Sequence, residues 1–306
     1  MRVLVFGNGW IGNLIKQRLP LHPAPEIIEV RVSSSNILDI EAVEKELYDF
    51  MPHTVINTAG HCGNPNIDAC ETDENAKRIT MDSNGYAPRV LYDTFMEYKR
   101  NGGIYCRQMD DPWFKFIHLS SGCLWNRPGD LVGIHEGEKP EVNSWYSHTK
   151  VMGEDRLKST SAIILRIRMP IDWQPHSRNL INKLSNYKMV IDTPNSVTTI
   201  DYLMQCVKLF AHNRNHSDSG IWNVCNGVLS AEDIMRCYKE YVNQNVDFSV
   251  ITANDLSKLG LVKTGRSNCI LSTEKIDRYV GRNSMSSQEM IRDIMIKYKQ
   301  ELDRVK

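Results

Sequence analysis

Arg2-Val3-Leu4-Val5-Phe6-Gly7-Asn8-Gly9-Trp10-Ile11-Gly12-Asn13-Leu14-Ile15 stands at the head of the chain. A short run rich in β-formers meets glycines spaced Gly-x-Gly-x-x-Gly, and apolar residues at helical spacing follow, so the stretch reads as strand, tight turn and helix. In that setting glycine lets the backbone turn sharply and come close to an anion, while the free N–H groups of the helix start can hold a pyrophosphate. Gly7, Gly9, Trp10, Ile11 and Gly12 are therefore candidate nucleotide contacts. The alternative is a Gly-rich turn with no ligand.

Outward from this unit, residues 27–32 read as a second strand and 54–57 as a third. Between them a helix begins at Asp39, a capping residue, with Ile40, Val43, Leu47 and Phe50 on one face. Residues 68–100 are mostly helical, broken near Asn84-Gly85, and 114–119 and 162–168 are two more strands. Between those strands a helix starts around Ser144. Short strands alternating with longer helices predict an α/β chain with a parallel sheet. After Pro170 the alternation weakens: helix near 179–187, strand 189–191, helix 200–213, strand 220–224, and a closing helix whose Ser286 and Glu289 have capping-box spacing. The expected organisation is a doubly wound parallel sheet over 1–170, regained by the chain over about 195–225, with a smaller C-terminal α/β substrate-binding domain over 171–306.

Composition narrows the partners. Thirty-seven Lys plus Arg balance thirty-seven Asp plus Glu, so no nucleic acid or membrane surface is expected to be held by charge. No apolar run approaches the ~20 residues of a membrane span, Met1 leads straight into a strand, and a cytoplasmic location is expected. The eight cysteines, Cys62, Cys70, Cys106, Cys123, Cys206, Cys225, Cys237 and Cys269, lack paired C-x-x-C spacing. They read as reduced thiols, and no metal is assigned to them or to His61.

The end of the second strand is where a ribose hydroxyl or a 2′-phosphate is read in such units. Here Arg31, with Ser33 and Ser34, suits a phosphate and favours NADPH; Glu29 leaves NADH open if the register slips by two. Tyr146 and Lys150 lie one turn apart on a single helix face. An ammonium beside a phenol favours the phenolate, so such a pair can exchange a proton with a carbonyl oxygen. Ser120 and Ser121 end the strand over 114–119, at the sheet's carboxyl edge, where Ser121 can hold that carbonyl.

This turn, edge Ser and Tyr-x-x-x-Lys, in this order, resemble the extended short-chain dehydrogenase/reductase family, whose fold is Rossmann-type. Further stretches narrow the resemblance: Ile56-Asn57-Thr58-Ala59-Gly60, Gly63-Asn64-Pro65-Asn66-Ile67-Asp68, Leu165-Arg166-Ile167-Arg168-Met169-Pro170-Ile171, Arg178-Asn179-Leu180-Ile181-Asn182-Lys183, Pro194-Asn195-Ser196 and Gly220-Ile221-Trp222-Asn223. They are similar to the bifunctional UDP-4-keto-6-deoxy-D-glucose 3,5-epimerase/4-reductases of UDP-L-rhamnose synthesis, and more distantly to dTDP-4-dehydrorhamnose reductases and GDP-fucose synthases. The spacing Gly7-x-Gly9 is one residue shorter than that family's usual Gly-x-x-Gly.

The resemblance implies an NADPH cofactor and a UDP-linked 4-keto-6-deoxy sugar, supplied by a 4,6-dehydratase expected on another chain; a homodimer is compatible with it. It implies Cys123 as an acid/base at carbon and Lys183 as the second, with His176 the competing choice. Asn57, Ala59, Gly60 and Asp39 are its further cofactor contacts. Asn66, Asn179, Arg266 and Asn268 are its substrate contacts, while Trp222 reads as core. Two other functions compete: a plain 4-ketoreductase, which has no need of Cys123, and a non-catalytic NADPH sensor, which has no need of the Ser121, Tyr146 and Lys150 relay.

Overall fold

The computed structural model describes residues 1–21, 29–101, 114–213, 218–263, 266–281 and 285–304; the first two residues of the expected second strand and Cys106 lie outside them. The chain begins β1 (Arg2–Phe6), α1 (Trp10–Arg18), β2 (Glu29–Ser33), α2 (Ile40–Phe50) and β3 (Thr54–Asn57). It continues α3 (Glu74–Met81), α4 (Ala87–Arg100), β4 (Lys115–Ser121), α5 (Trp145–Leu157) and β5 (Ile163–Ile167). A six-stranded sheet runs in the order β2-β1-β3-β4-β5-β9, where β9 is the later strand Gly220–Val224. Strands β1 to β4 pair in parallel, with Leu4 opposite both Arg31 and Val55. This is the α/β parallel sheet that the alternation implied.

The sheet is covered because its helices are amphipathic. On one face Val43, Leu47 and Phe50 of α2 and Leu91, Phe95 and Tyr98 of α4 join Leu4, Phe6, Val55 and Phe116 in one buried cluster. Burying each such side chain stabilises the fold by roughly 1.5–3 kcal/mol. Asp39 caps α2 by accepting from the Ala42 N–H at 3.1 Å, as its residue type implied. A five-residue π-helical turn, Asp82–Tyr86, interrupts the long helix between α3 and α4, at the break near Asn84-Gly85.

Helix α5 is tied to the sheet by charge. Glu154 receives Arg166 Nη2 at 2.6 Å and the Ser120 hydroxyl at 2.6 Å, all three side chains being buried. Removing one partner of a buried ion pair leaves the other charge poorly compensated. Glu154→Gln, which keeps the shape but not the charge, is expected to lower unfolding stability by about 3 kcal/mol, read as a reduced urea midpoint at unchanged m-value.

The later elements are β6 (Pro170–Ile171), α6 (Leu180–Leu184), β7 (Met189–Ile191), β8 (Asn195–Thr199), α7 (Ile200–His212), β9, β10 (Gly227–Leu229), α8 (Ala231–Tyr241), β11 (Ser249–Ile251), α9 (Ala253–Lys258), α10 (Glu274–Val280) and α11 (Ser287–Arg304). Two compact units result: 1–121 with 144–166 and 204–222, and 122–143 with 167–203 and 223–306. The second unit thus takes a segment, 122–143, from inside the stretch that sequence had placed within 1–170. It holds a three-stranded sheet β10-β8-β6 and the parallel pair β7 and β11. Ile234, Met235 and Tyr238 of α8 pack with Met290, Ile294 and Met295 of α11 to form its core. Among the described residues no helix is long and apolar enough to cross a membrane.

Candidate active site

In the first unit the strand order reverses direction at β1, whose neighbours are β2 and β3, and open α/β sheets bind ligands at the carboxyl ends of such strands. Gly7 stands there with φ +110°, a conformation that L side chains rarely adopt, and a Cβ on it would lie 2.5 Å from Ala59 N and 2.6 Å from Thr58 Oγ1. A Cβ on Gly12 would run into the Gly7 carbonyl. These two glycines close the turn, and the Thr58 hydroxyl fastens it by contacts of 3.0 Å to the carbonyls of Phe6 and Gly7.

Gly9 differs. A Cβ there would meet nothing within 4 Å, and the residue caps α1 without a side-chain hydrogen bond. The shortened Gly-x-Gly spacing thus leaves an open face at a helix start. Beside it a cleft of about 310 Å³ is lined by Gly7, Asn8, Ser33, Ser35, Asn36, Gly60 and neighbouring residues. Glycine-bounded walls, serine hydroxyls and uncapped N–H groups fit the phosphate and ribose of a dinucleotide. Gly9→Ala is expected to melt within a few degrees of the parent, yet to raise the Kd for NADPH about tenfold or more, because the methyl occupies the ligand's side of the turn. Thermal melts and a fluorescence titration check both halves.

Arg31 does not line this cleft. Its guanidinium carbon lies 4.2 Å from the centre of the Phe50 ring, and its Nη2 lies 3.7 Å from the Glu29 carboxylate. The reason is position: Arg31 is two residues short of the strand's end, whereas Ser33, its last residue, and the residues past it line the cleft. The polar residues that line it there include Ser33 and Ser34, which sequence named, and Ser35 and Asn36, which it did not assign to the cofactor. Asp39 is occupied as a helix cap, and Asn57 accepts from the Ala59 N–H at 3.0 Å, shaping the turn that carries Ala59 and Gly60.

Tyr146 and Lys150 both lie on α5, whose start is set by Ser144 accepting from the Ser147 N–H at 3.2 Å. Lys150 is buried at 6% exposure, and burial holds its ammonium below the usual lysine range, with the Cys62 and Glu154 charges opposing the shift. Its Nζ and the Asn84 Oδ1 each lie 3.0 Å from where a Cβ of Gly60 would be, a tight approach that a side chain there would have to push back. Asn84, fully buried in the π-helical turn, binds this corner together. Its Oδ1 accepts from the His61 N–H at 2.9 Å, and its Nδ2 donates to the His61 carbonyl at 2.8 Å and to Thr149 Oγ1 at 3.2 Å. Sequence had marked only the helix break there. Ser121 ends β4 and is buried; His118, three residues earlier, is fully buried and held well below the usual histidine range by burial and by Lys150. Asn66 caps a short 3-10 turn, accepting from the Asp68 N–H at 2.9 Å.

In the second unit Cys123 is half-buried and receives Arg168 Nη1 at 3.2 Å. Lys183 lies on α6, whose cap is Asn179. Asn179 is fully buried and commits its amide to the loop before α6, donating to the Asp172 carbonyl at 2.7 Å and the Gln174 carbonyl at 2.9 Å. Its geometry is that of a loop clasp that orients α6. His176, in the same loop, is exposed, and its Nδ1 accepts from the Arg178 N–H at 3.0 Å. The Arg266 carbonyl accepts from Asn143 at 2.9 Å, and Asn268 is buried, its Oδ1 accepting from Asn195 at 3.2 Å. Trp222, in the first unit, is core: it is buried edge-on to Phe210 and donates to the Asp218 carbonyl at 2.8 Å.

No protein-family model matches the chain. It is 29% identical over 283 residues to the bifunctional dTDP-4-dehydrorhamnose 3,5-epimerase/dTDP-4-dehydrorhamnose reductase of Arabidopsis thaliana, covering 89% of this chain and 85% of that protein. The chain is thus similar, over most of both lengths, to a plant dTDP-4-dehydrorhamnose epimerase/reductase. It is also 30% identical, over 97% of its length, to a trifunctional UDP-glucose 4,6-dehydratase/UDP-4-keto-6-deoxy-D-glucose 3,5-epimerase/UDP-4-keto-L-rhamnose-reductase of the same plant, of which it spans 42%. The crystal structure of a UDP-rhamnose synthase from Acanthamoeba polyphaga mimivirus superposes with a TM-score of 0.80 at 24% identity, covering 97% of this chain and 99% of that one. A dTDP-4-dehydrorhamnose reductase from Bacillus anthracis, crystallised with NADP, gives 0.73 at 17% identity over 100% and 99% of the two chains. Both structural likenesses establish the shared fold.

Proposed function

We propose that the chain reduces the C4 ketone of a UDP-linked 4-keto-6-deoxy sugar with NADPH, after inverting C3 and C5 of the same sugar. The observation that carries the reading is Lys150, a buried ammonium one turn below Tyr146 and seated on the Gly60 turn. Burying an ammonium is costly unless it is paired or hydrogen-bonded, and groups perturbed in this way cluster at functional sites. The names of the homologues, which pair epimerase with reductase, support the substrate class.

NADPH, when bound along the Gly7 to Gly12 turn, supplies hydride to C4. The chain's own groups manage the oxygen. Tyr146 gives its phenolic proton to the developing C4 alkoxide, Lys150 stabilises the phenolate left behind, and Ser121 donates a hydrogen bond to the carbonyl. Asn84 holds Lys150's neighbour Thr149 and the Gly60 turn in fixed register, so the ammonium does not wander. The same ketone acidifies the hydrogens at C3 and C5. Cys123 and Lys183 remove and return protons there, with the enolate oxygen held by Tyr146 and Ser121.

Incubation with UDP-4-keto-6-deoxyglucose and NADPH, followed by identification of the sugar, tests the reading. UDP-rhamnose is the expected product. A 6-deoxy sugar with C3 and C5 uninverted reduces the protein to a 4-ketoreductase, and no NADPH oxidation overturns the proposal.

A further inference from the structure

Arg166 and Arg168 follow one another on the same stretch of chain, and both are buried. Arg166 faces the Glu154 carboxylate. Arg168, 1% exposed, faces none: among the described residues its partners are neutral oxygens and a sulfur. Nη1 donates to Cys123 Sγ at 3.2 Å, to Ser267 Oγ at 3.0 Å and to the Gly122 carbonyl at 3.3 Å. Nη2 donates to the Ser267 carbonyl at 2.7 Å and to Asn195 Oδ1. Nε has no partner among the described residues. Neutral acceptors offset part of the cost of burying a guanidinium, but they leave its charge uncompensated.

Three thiols lie around it among the described residues, Cys123, Cys225 and Cys269. Burial pushes Cys225 up to about 12 and also raises Cys269, although the charge of Arg168 pulls both the other way. Those two stay protonated. Cys123 is the half-buried one and the one that Nη1 touches. The backbone is constrained at the same place. Met169 adopts φ +42°, uncommon for a residue with a side chain, while Arg168 donates its N–H to Thr198 Oγ1 at 3.0 Å and accepts from the Thr198 N–H at 2.8 Å. Strain of this kind persists where the surroundings over-determine it.

We infer that Arg168 is the positioning residue for Cys123: its guanidinium fixes the direction of the sulfur and supplies the positive charge against which that sulfur becomes anionic. The inference rests on the epimerase reading above. In the step it serves, a thiolate takes the proton from C3 or C5 to form S–H, and the C–H electron pair moves into the enolate. The guanidinium stays protonated throughout and donates to the sulfur before and after, since a thiolate is the better acceptor.

Iodoacetamide labelling of the full chain without substrate, with the modified peptides quantified by mass spectrometry, tests this. The internal reference is Cys237, also half-buried, whose thiol burial pushes up to about 11. At pH 7 Cys123 is expected to label at least tenfold faster than Cys237, because only thiolate reacts. In Arg168→Gln its rate at pH 7 should fall about tenfold and converge with wild type near pH 10, with Arg168→Lys between them. A purely structural role would instead lower the melting temperature and speed labelling of buried cysteines at every pH. The inference is overturned if folded Arg168→Gln labels like wild type across the pH range. If that variant does not fold, equal rates for Cys123 and Cys237 in wild type overturn it. Lost deuterium exchange into the sugar with fast Cys123 labelling sinks the epimerase reading and leaves the Arg168 pair standing.

Discussion

Tyr146→Phe is expected to reduce the C4 ketone about a thousandfold more slowly than the parent, with NADPH binding within about twofold of the parental affinity. In the proposed mechanism the phenolic hydroxyl is the proton donor for the alkoxide, and general acids of this kind contribute about 10²–10⁴ in rate. The candidate cofactor contacts lie elsewhere, at the open face of Gly9 and on the cleft walls from Ser33 to Asn36 and at Gly60. The ring stays, α5 keeps its Ser144 cap and its Glu154 anchor, and the variant should therefore fold. Single-turnover oxidation of NADPH alongside a binding titration separates the two quantities. Near-parental turnover in the Phe variant would remove Tyr146 from the mechanism.

Cys123→Ser is expected to lose deuterium exchange at C3, C5 or both by at least about a hundredfold, to be measured in deuterated water without NADPH. A hydroxyl matches the thiol in shape but ionises far too weakly to take a proton from carbon, while Ser121, Tyr146 and Lys150 remain to hold the C4 oxygen. With NADPH added, the variant should stall or yield a 6-deoxy sugar that is not rhamnose. Because Cys123 is half-buried and a serine hydroxyl can still accept from Arg168, the melting temperature should move little. Exchange at the wild-type rate at both carbons would take Cys123 out of the chemistry. Absence of exchange in the wild type would leave a simple ketoreductase.

What the sequence determined by itself was local: patterns whose physics closes within a few residues. The strand-turn-helix at Arg2 to Ile15, the capping role of Asp39, the helix start around Ser144, and the shared helix face of Tyr146 and Lys150 follow from φ restrictions, capping and the 3.6-residue period. The π-helical turn was legible only as an interruption near Asn84-Gly85, because its consequence is a set of hydrogen bonds to His61 and Thr149, dozens of residues away in both directions. Only the tertiary structure decided where long side chains end. Arg31 reads as a phosphate ligand by its place at a strand end, yet its stem carries the guanidinium back onto Phe50, a partner supplied by the next helix. Arg168 reads as one more polar residue in a strand, yet it becomes a buried charge whose neighbours come from 122–123, 195 and 267. Burial and charge compensation are properties of residues brought together by the fold, so no spacing along the chain encodes them.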